Sequence, residues 1–102
     1  MTVGATTVDD HLWASSNRGT CVDVLAPGDN IRSAAPGGGS RTASGTAMAA
    51  AHAAGVAVTF LSAQPLTSAQ VTAKIKETAT KNAVSLLLPL TPNLLLFNGY
   101  TA

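Results

Sequence analysis

Apolar residues fall in short clusters through the first half of the chain and in one long run at its centre. Thr2 to Thr7 opens on Val3 among small residues, and Cys21 to Leu25 reads Cys-Val-Asp-Val-Leu before Ala26-Pro27-Gly28 stops it. β-branched runs ended by a Pro-Gly signal predict two strands. Asp9-Asp10-His11 and Ser15-Ser16-Asn17-Arg18-Gly19 are turn-forming clusters between them. Pro36-Gly37-Gly38-Gly39-Ser40 predicts a flexible loop ahead of a further extended piece, Arg41 to Ser44.

From Thr46 to about Ala63 the chain is dominated by alanine, with Met48, Val56, Val58, Phe60 and Leu61 and no charged residue. A helix apolar all round belongs in an interior, so it is expected to be buried on every side. Small residues such as Ala53-Ala54-Gly55 let neighbouring backbones approach closely, although Gly55 costs about 1 kcal/mol of helix propensity. His52, Gly55 and Thr59 interrupt the run, which falls short of the roughly 20 residues that span a bilayer, so no membrane partner is expected. Thr67-Ser68-Ala69-Gln70 has the form of a capping box. Val71, Ile75 and Thr78 then recur among Lys74, Lys76, Glu77 and Lys81, which predicts an amphipathic surface helix ending near Asn82. Leu86 to Tyr100 contains Pro89 and Pro92 and predicts a loop followed by an edge strand at Leu94-Leu95-Leu96-Phe97.

Strands alternating with helices imply an α/β fold whose parallel sheet is covered on both faces. The few strands predicted do not complete such a domain. Composition points the same way: 46% of the 102 residues are hydrophobic and 11% charged, against about 25% charged in ordinary domains, as expected for a chain largely covered by something else. The net charge is +1, with six Lys and Arg spread singly, so there is no basic stripe for a phosphate backbone and nucleic acid is not an expected partner. A single cysteine, Cys21, permits no internal disulfide. Met1 to Ala14 lacks the basic start and apolar core of a signal peptide.

The segment Arg41-Thr42-Ala43-Ser44-Gly45-Thr46-Ala47-Met48-Ala49-Ala50-Ala51-His52 joins an extended piece to the apolar helix through a Gly-Thr turn. A group at such a helix start feels the positive end of the helix dipole beside unpaired backbone N–H donors, an arrangement suited to a developing oxyanion. Gly45, Thr46, Met48, Ala49, His52, Ala54 and Gly55 resemble the Gly-Thr-Ser-Met-Ala and Pro-His-Val-Ala-Gly signature of the subtilisin-like serine peptidases. Val22 to Gly28 resembles the family's strand ending in Ala-Pro-Gly, and Ser16-Asn17-Arg18-Gly19 its Ser-Asn-aromatic-Gly turn. Asn93-Leu94-Leu95 is similar to the proteinase K branch. The resemblance covers nearly the whole chain.

It implies a three-layer α/β subtilisin-like architecture of which residues 1–102 form the C-terminal segment. The function implied is peptide-bond hydrolysis through an acyl-enzyme by a secreted or extracytoplasmic endopeptidase, with the remainder of the domain or its propeptide as partner and a peptide or protein as substrate. Two departures stand out: Ala47 occupies the position of the family's nucleophilic serine, and Ala51 that of its proline. The family's aspartate, histidine and oxyanion-hole asparagine precede residue 1, so Ala47 retains only its backbone N–H as a candidate oxyanion donor and this chain is expected to be inactive. Ser44 lies on the strand side of the turn and is not expected to substitute. The rival reading is a natural pseudopeptidase that keeps the fold as a binding or structural module. The resemblance also implies that Asp23 helps hold calcium with carbonyls from an upstream loop, and that Cys21 has an upstream disulfide partner; a buried free thiol is the alternative. His52 is expected to be a satisfied core histidine, and Asp9, Asp10 and His11 a solvated loop rather than a metal site.

Overall fold

The computed structural model describes residues 1–85 and 91–99. In chain order it contains β1 (Val3–Thr6), β2 (Val24–Pro27), β3 (Ile31–Ala34), β4 (Ser40–Ala43), α1 (Thr46–Ala63), α2 (Ser68–Thr78), β5 (Thr80–Lys81) and β6 (Leu94–Leu95). One sheet runs β1-β2-β6-β5, with β1, β2 and β6 parallel and β5 antiparallel to β6; β3 and β4 form a separate antiparallel hairpin. The α/β fold with a mostly parallel sheet is the one expected.

Period-two alternation sorts the core of the sheet into two clusters. Val3, Ala5, Val24 and Ala26 meet Ala49, Ala53 and Phe60 of α1 and Val71 and Ile75 of α2. Leu25 points the other way, packing with Leu12, Val22, Val84 and half-buried Leu95. Both helices therefore cover one face of the sheet, and loop residues cover the other. The outer edge of β1 is occupied at Ala5 by its own loop: Ala5 N–H donates to the Ser16 hydroxyl at 2.7 Å, and Trp13 N–H to Ala5 C=O at 2.9 Å. Such occupation removes pairing groups from an edge that would otherwise invite association.

Four expectations need correction. The second strand begins at Val24 rather than Cys21, because Val22 N–H turns back to Gly19 C=O and the ladder with β1 opens only afterwards. The glycine run is the turn of a hairpin: Gly37, Gly38 and Gly39 all have positive φ, between 75° and 108°, and Ala35 N–H donates to Gly39 C=O, which returns Ser40 opposite Ala34. The second helix stops at Thr78, four residues before Asn82, because Thr80 and Lys81 pair with β6. For the same reason β6 lies inside the sheet, between β2 and β5, and not at its edge. The loop expected through Pro89 lies outside the described residues. The capping box is present, with Thr67 Oγ1 accepting from Gln70 N–H at 3.2 Å and Gln70 Oε1 from Thr67 N–H at 2.8 Å.

A further expectation fails: helix α1, expected to be buried on every side, is buried on one side only, at Ala49, Ala53 and Phe60, because the described residues supply a packing surface, the sheet and α2, on that side alone. Val58 is 63% and Leu61 45% exposed, so the apolar face away from the sheet is uncovered by the described residues. Thr46–Ala63 is long and apolar enough to cross a membrane by length and composition; in this fold it packs one side on the sheet through Ala49, Ala53 and Phe60.

Candidate active site

The strand-to-helix junction is built by close approach. Gly45 N–H donates to Gly28 C=O at 2.7 Å, tying the start of α1 to the end of β2. Gly45 itself has φ 154°, open to glycine, and is the N-cap residue. Gly45 C=O then accepts from Met48 N–H and Ala49 N–H at 3.2 and 3.4 Å, closing the first turn. Ala47 is thus the second residue of the helix rather than its cap, and its N–H is among the first four that have no intrahelical partner. The helix dipole adds positive potential at the same point.

Ala47 is exposed and lines a groove of about 820 Å³ between the β3–β4 hairpin and α1. Ala51, Gly55 and Thr59 follow it along one face of the helix, with Ile31 and Ala43 opposite. Residues spaced by four on a helix share a face, so the groove runs along α1 and opens beside residue 47. The neighbouring Ser44 hydroxyl is engaged elsewhere. Ser44 Oγ donates to Asp29 Oδ1 at 2.8 Å and accepts from Asn30 N–H at 2.9 Å, and so is held on the strand side of the turn. Thr46 Oγ1 accepts from Asn17 Nδ2 at 3.3 Å, which links the Ser16-Asn17-Arg18-Gly19 turn to the helix start. In the sequence Asn17 reads only as part of a turn; its reach to Thr46 spans 29 residues and carries no local signal.

Of the other candidates, His52 lines the same groove as Ala47, whereas Cys21 and Asp23 are not among its lining residues. His52 is exposed, with Nδ1 2.9 Å from Met48 C=O: it is satisfied, but it is not a core residue, because the helix face packed on the sheet is that of residues 49, 53 and 60. Cys21 is exposed and free rather than buried. Among the described residues no three His, Cys, Asp or Glu side chains gather as a metal-ligand set.

Asp23 braces the base of the sheet. Its backbone N–H donates to Thr2 C=O at 2.8 Å while its Oδ2 accepts Thr2 N–H at 2.8 Å, and Oδ1 lies 3.6 Å from Lys76 Nζ on α2. One carboxylate already facing an ammonium group does not meet calcium's need for six to eight oxygens. The residues of this chain therefore do not fit that ion by themselves.

The motif and the geometry agree with what the chain is similar to. A family model described as the subtilase family matches residues 1–91. Over 100 residues the chain is 50% identical to Subtilisin-like protease 3 of Arthroderma otae, covering 96% of this chain and 24% of that protein. It is 42% identical over 99 residues to Subtilisin-like protease 1 of Trichophyton rubrum, covering 96% and 19%. A crystal structure of a cold-adapted subtilisin-like serine proteinase superposes with a TM-score of 0.90 at 44% identity, over 94% of this chain and 35% of that one. The chain belongs to the subtilase family of proteases. It spans about a quarter or less of the length of these curated relatives.

Proposed function

We propose that this chain is the C-terminal segment of the catalytic domain of a secreted subtilisin-like serine endopeptidase, and that it is inactive as written. The observation that carries the reading is Ala47 in the first turn of α1, on the Gly45-Thr46 turn, with a methyl group where acyl transfer requires a nucleophile. What the segment contributes to the site is the helix start and the backbone N–H of residue 47, donors suited to an oxyanion. The general base, its carboxylate partner and a second oxyanion donor belong to the remainder of the domain. That remainder is also the proposed partner of the uncovered face of α1, and it would complete a calcium site to which Asp23 offers one carboxylate. The substrate is a peptide or protein lying across the opening of the groove. No nucleic acid or membrane enters this reading.

The test is a chimera in which this chain replaces the matching stretch of the 50% identical relative. Carrying Ala47, the folded chimera is expected to leave a peptide substrate intact and to remain unlabelled by a fluorophosphonate. Labelling within residues 1–102 would overturn the inactive reading. Covering of α1 has its own test. Alone in dilute solution the chain is expected to self-associate, because Val58 and Leu61 on the uncovered side of α1 expose apolar surface that association would bury. A monomer at micromolar concentration by sedimentation, unfolding in one cooperative step, would show that the described fold needs no cover.

A further inference from the structure

The residues that fix the start of α1 do so through three hydrogen bonds from three consecutive positions beyond β2. Gly28 C=O accepts Gly45 N–H at 2.7 Å, Asp29 Oδ1 accepts the Ser44 hydroxyl at 2.8 Å, and Asn30 N–H donates to the same Ser44 oxygen at 2.9 Å. The backbone at Asn30 has φ 52°, a left-handed conformation that L-residues adopt at a cost and asparagine adopts most readily. Its N–H thereby points at Ser44 rather than along the chain. Upstream, Val24, Leu25 and Ala26 are wholly buried, so the loop that grips Ser44 and Gly45 is rooted in the least movable part of the sheet. Ser44 is the one side chain in this set that donates and accepts at once. An alanine there would release both Asp29 and Asn30 to water.

We infer that Ser44 and Asp29 form a clamp that sets the position of residue 47 at the start of α1, a positioning role that rests on the acyl-transfer site proposed above. The clamp touches neither substrate nor reacting atoms. It acts through Gly45, whose carbonyl closes the first turn on Met48 and Ala49. On the far side, the bond from Asn17 to Thr46 holds the neighbouring residue, so that residue 47 follows two anchored positions. Displacing a catalytic group by about 1 Å can cost on the order of a hundredfold in rate. Partial release of one anchor is expected to cost less.

Two measurements on the chimera separate positioning from plain stability. With Ala47→Ser in place, adding Ser44→Ala is expected to lower kcat about tenfold with KM within about twofold, as for an interaction felt in the transition state only. Asp29→Ala should give a similar loss, the double change no more than either alone, and Ser44→Thr, which keeps the hydroxyl, should recover most of the rate. With Ala47 retained, Ser44→Ala is expected to speed amide exchange at Gly45, Met48 and Ala49 about fivefold, the worth of one ordinary hydrogen bond, while Val3 to Thr6 keep their rates. An unchanged kcat in a turning-over chimera, unchanged exchange at these three amides, or a uniform rise across the sheet would each overturn the clamp. If the Ala47→Ser chimera is silent yet the local exchange response is seen, the clamp stands and the proposed function falls.

Discussion

Changing Ala47 to serine is expected to raise turnover of the chimera by about 10⁶, roughly 8 kcal/mol of barrier, the factor that loss of the serine costs in subtilisin itself. The same change in the isolated chain is expected to do nothing. A serine hydroxyl is a weak nucleophile until a base within about 2.6–3.2 Å takes its proton, and neither histidine here is so placed. His52 borders the same groove as Ala47. It sits five positions along the helix, however, about 140° around and roughly 7.5 Å further along the axis, with Nδ1 held 2.9 Å from Met48 C=O. His11 belongs to the loop after β1, where it bridges to Ser85. Peptide hydrolysis and fluorophosphonate labelling, measured on both proteins, distinguish the outcomes. Turnover by the isolated variant would mean that a base inside these residues suffices. A folded but silent Ala47→Ser chimera would favour a pseudopeptidase, in which the same fold survives as a binding or structural module.

What the sequence disclosed depended on whether the determinant was local. The capping box at Thr67 and Gln70, the turn at Gly45 and the period of Val71 and Ile75 are settled within a few residues, and each appears where expected. β3 was missed because its burial is slight, half-buried at Ile31 and exposed from Arg32 to Ala34, so no face is marked by hydrophobicity. Its register comes instead from three glycines that turn the chain back. The position of β6 was misjudged because being an edge is a property of neighbours. Two polar residues, Thr80 and Lys81, take the outer place, and nothing in Leu94-Leu95 announces them. For α1, uniform hydrophobicity led to the expectation of burial on every side, whereas this chain covers one side only. The choice of Ala49, Ala53 and Phe60 as the packed face depends on the tilt of the helix over β1 and β2, a tertiary quantity. At the junction, the motif singled out residue 47, while Asn17 and Asp29 reach its neighbours Thr46 and Ser44 from 29 and 15 residues away in sequence and left no mark in the pattern.

Gly28→Ala is expected to be the most damaging single change in the segment, costing about 3 kcal/mol, the upper end of ordinary overpacking. A Cβ at residue 28 would stand 2.5 Å from Ala5 Cβ, 2.7 Å from Gly45 C=O and 3.2 Å from Ala49 Cβ. None of these is the end of a flexible side chain. One is fixed to β1, one is backbone of the turn and one is fixed to α1, so relief requires moving a whole element. Residue 47 is carried by the element that would have to move, and activity restored by Ala47→Ser should therefore fall with stability. Gly55→Ala provides the contrast. In this chain a Cβ there meets nothing within 4 Å, and alanine in place of a helical glycine contributes about 1 kcal/mol of helix propensity. If the remainder of the domain packs along the groove, that gain should reverse in the chimera, where the added methyl points at the covering element from the wall of the groove. Thermal denaturation of the chimera carrying each change reads both effects. At about 2–4 °C per kcal/mol for a domain of 150–250 residues, Gly28→Ala should lower Tm by roughly 6–12 °C. A Gly28→Ala chimera with unaltered Tm would show that β1, the turn and α1 are less tightly fitted than these distances imply. A Gly55→Ala chimera more stable than its parent would leave the groove face of α1 uncovered even in the complete domain.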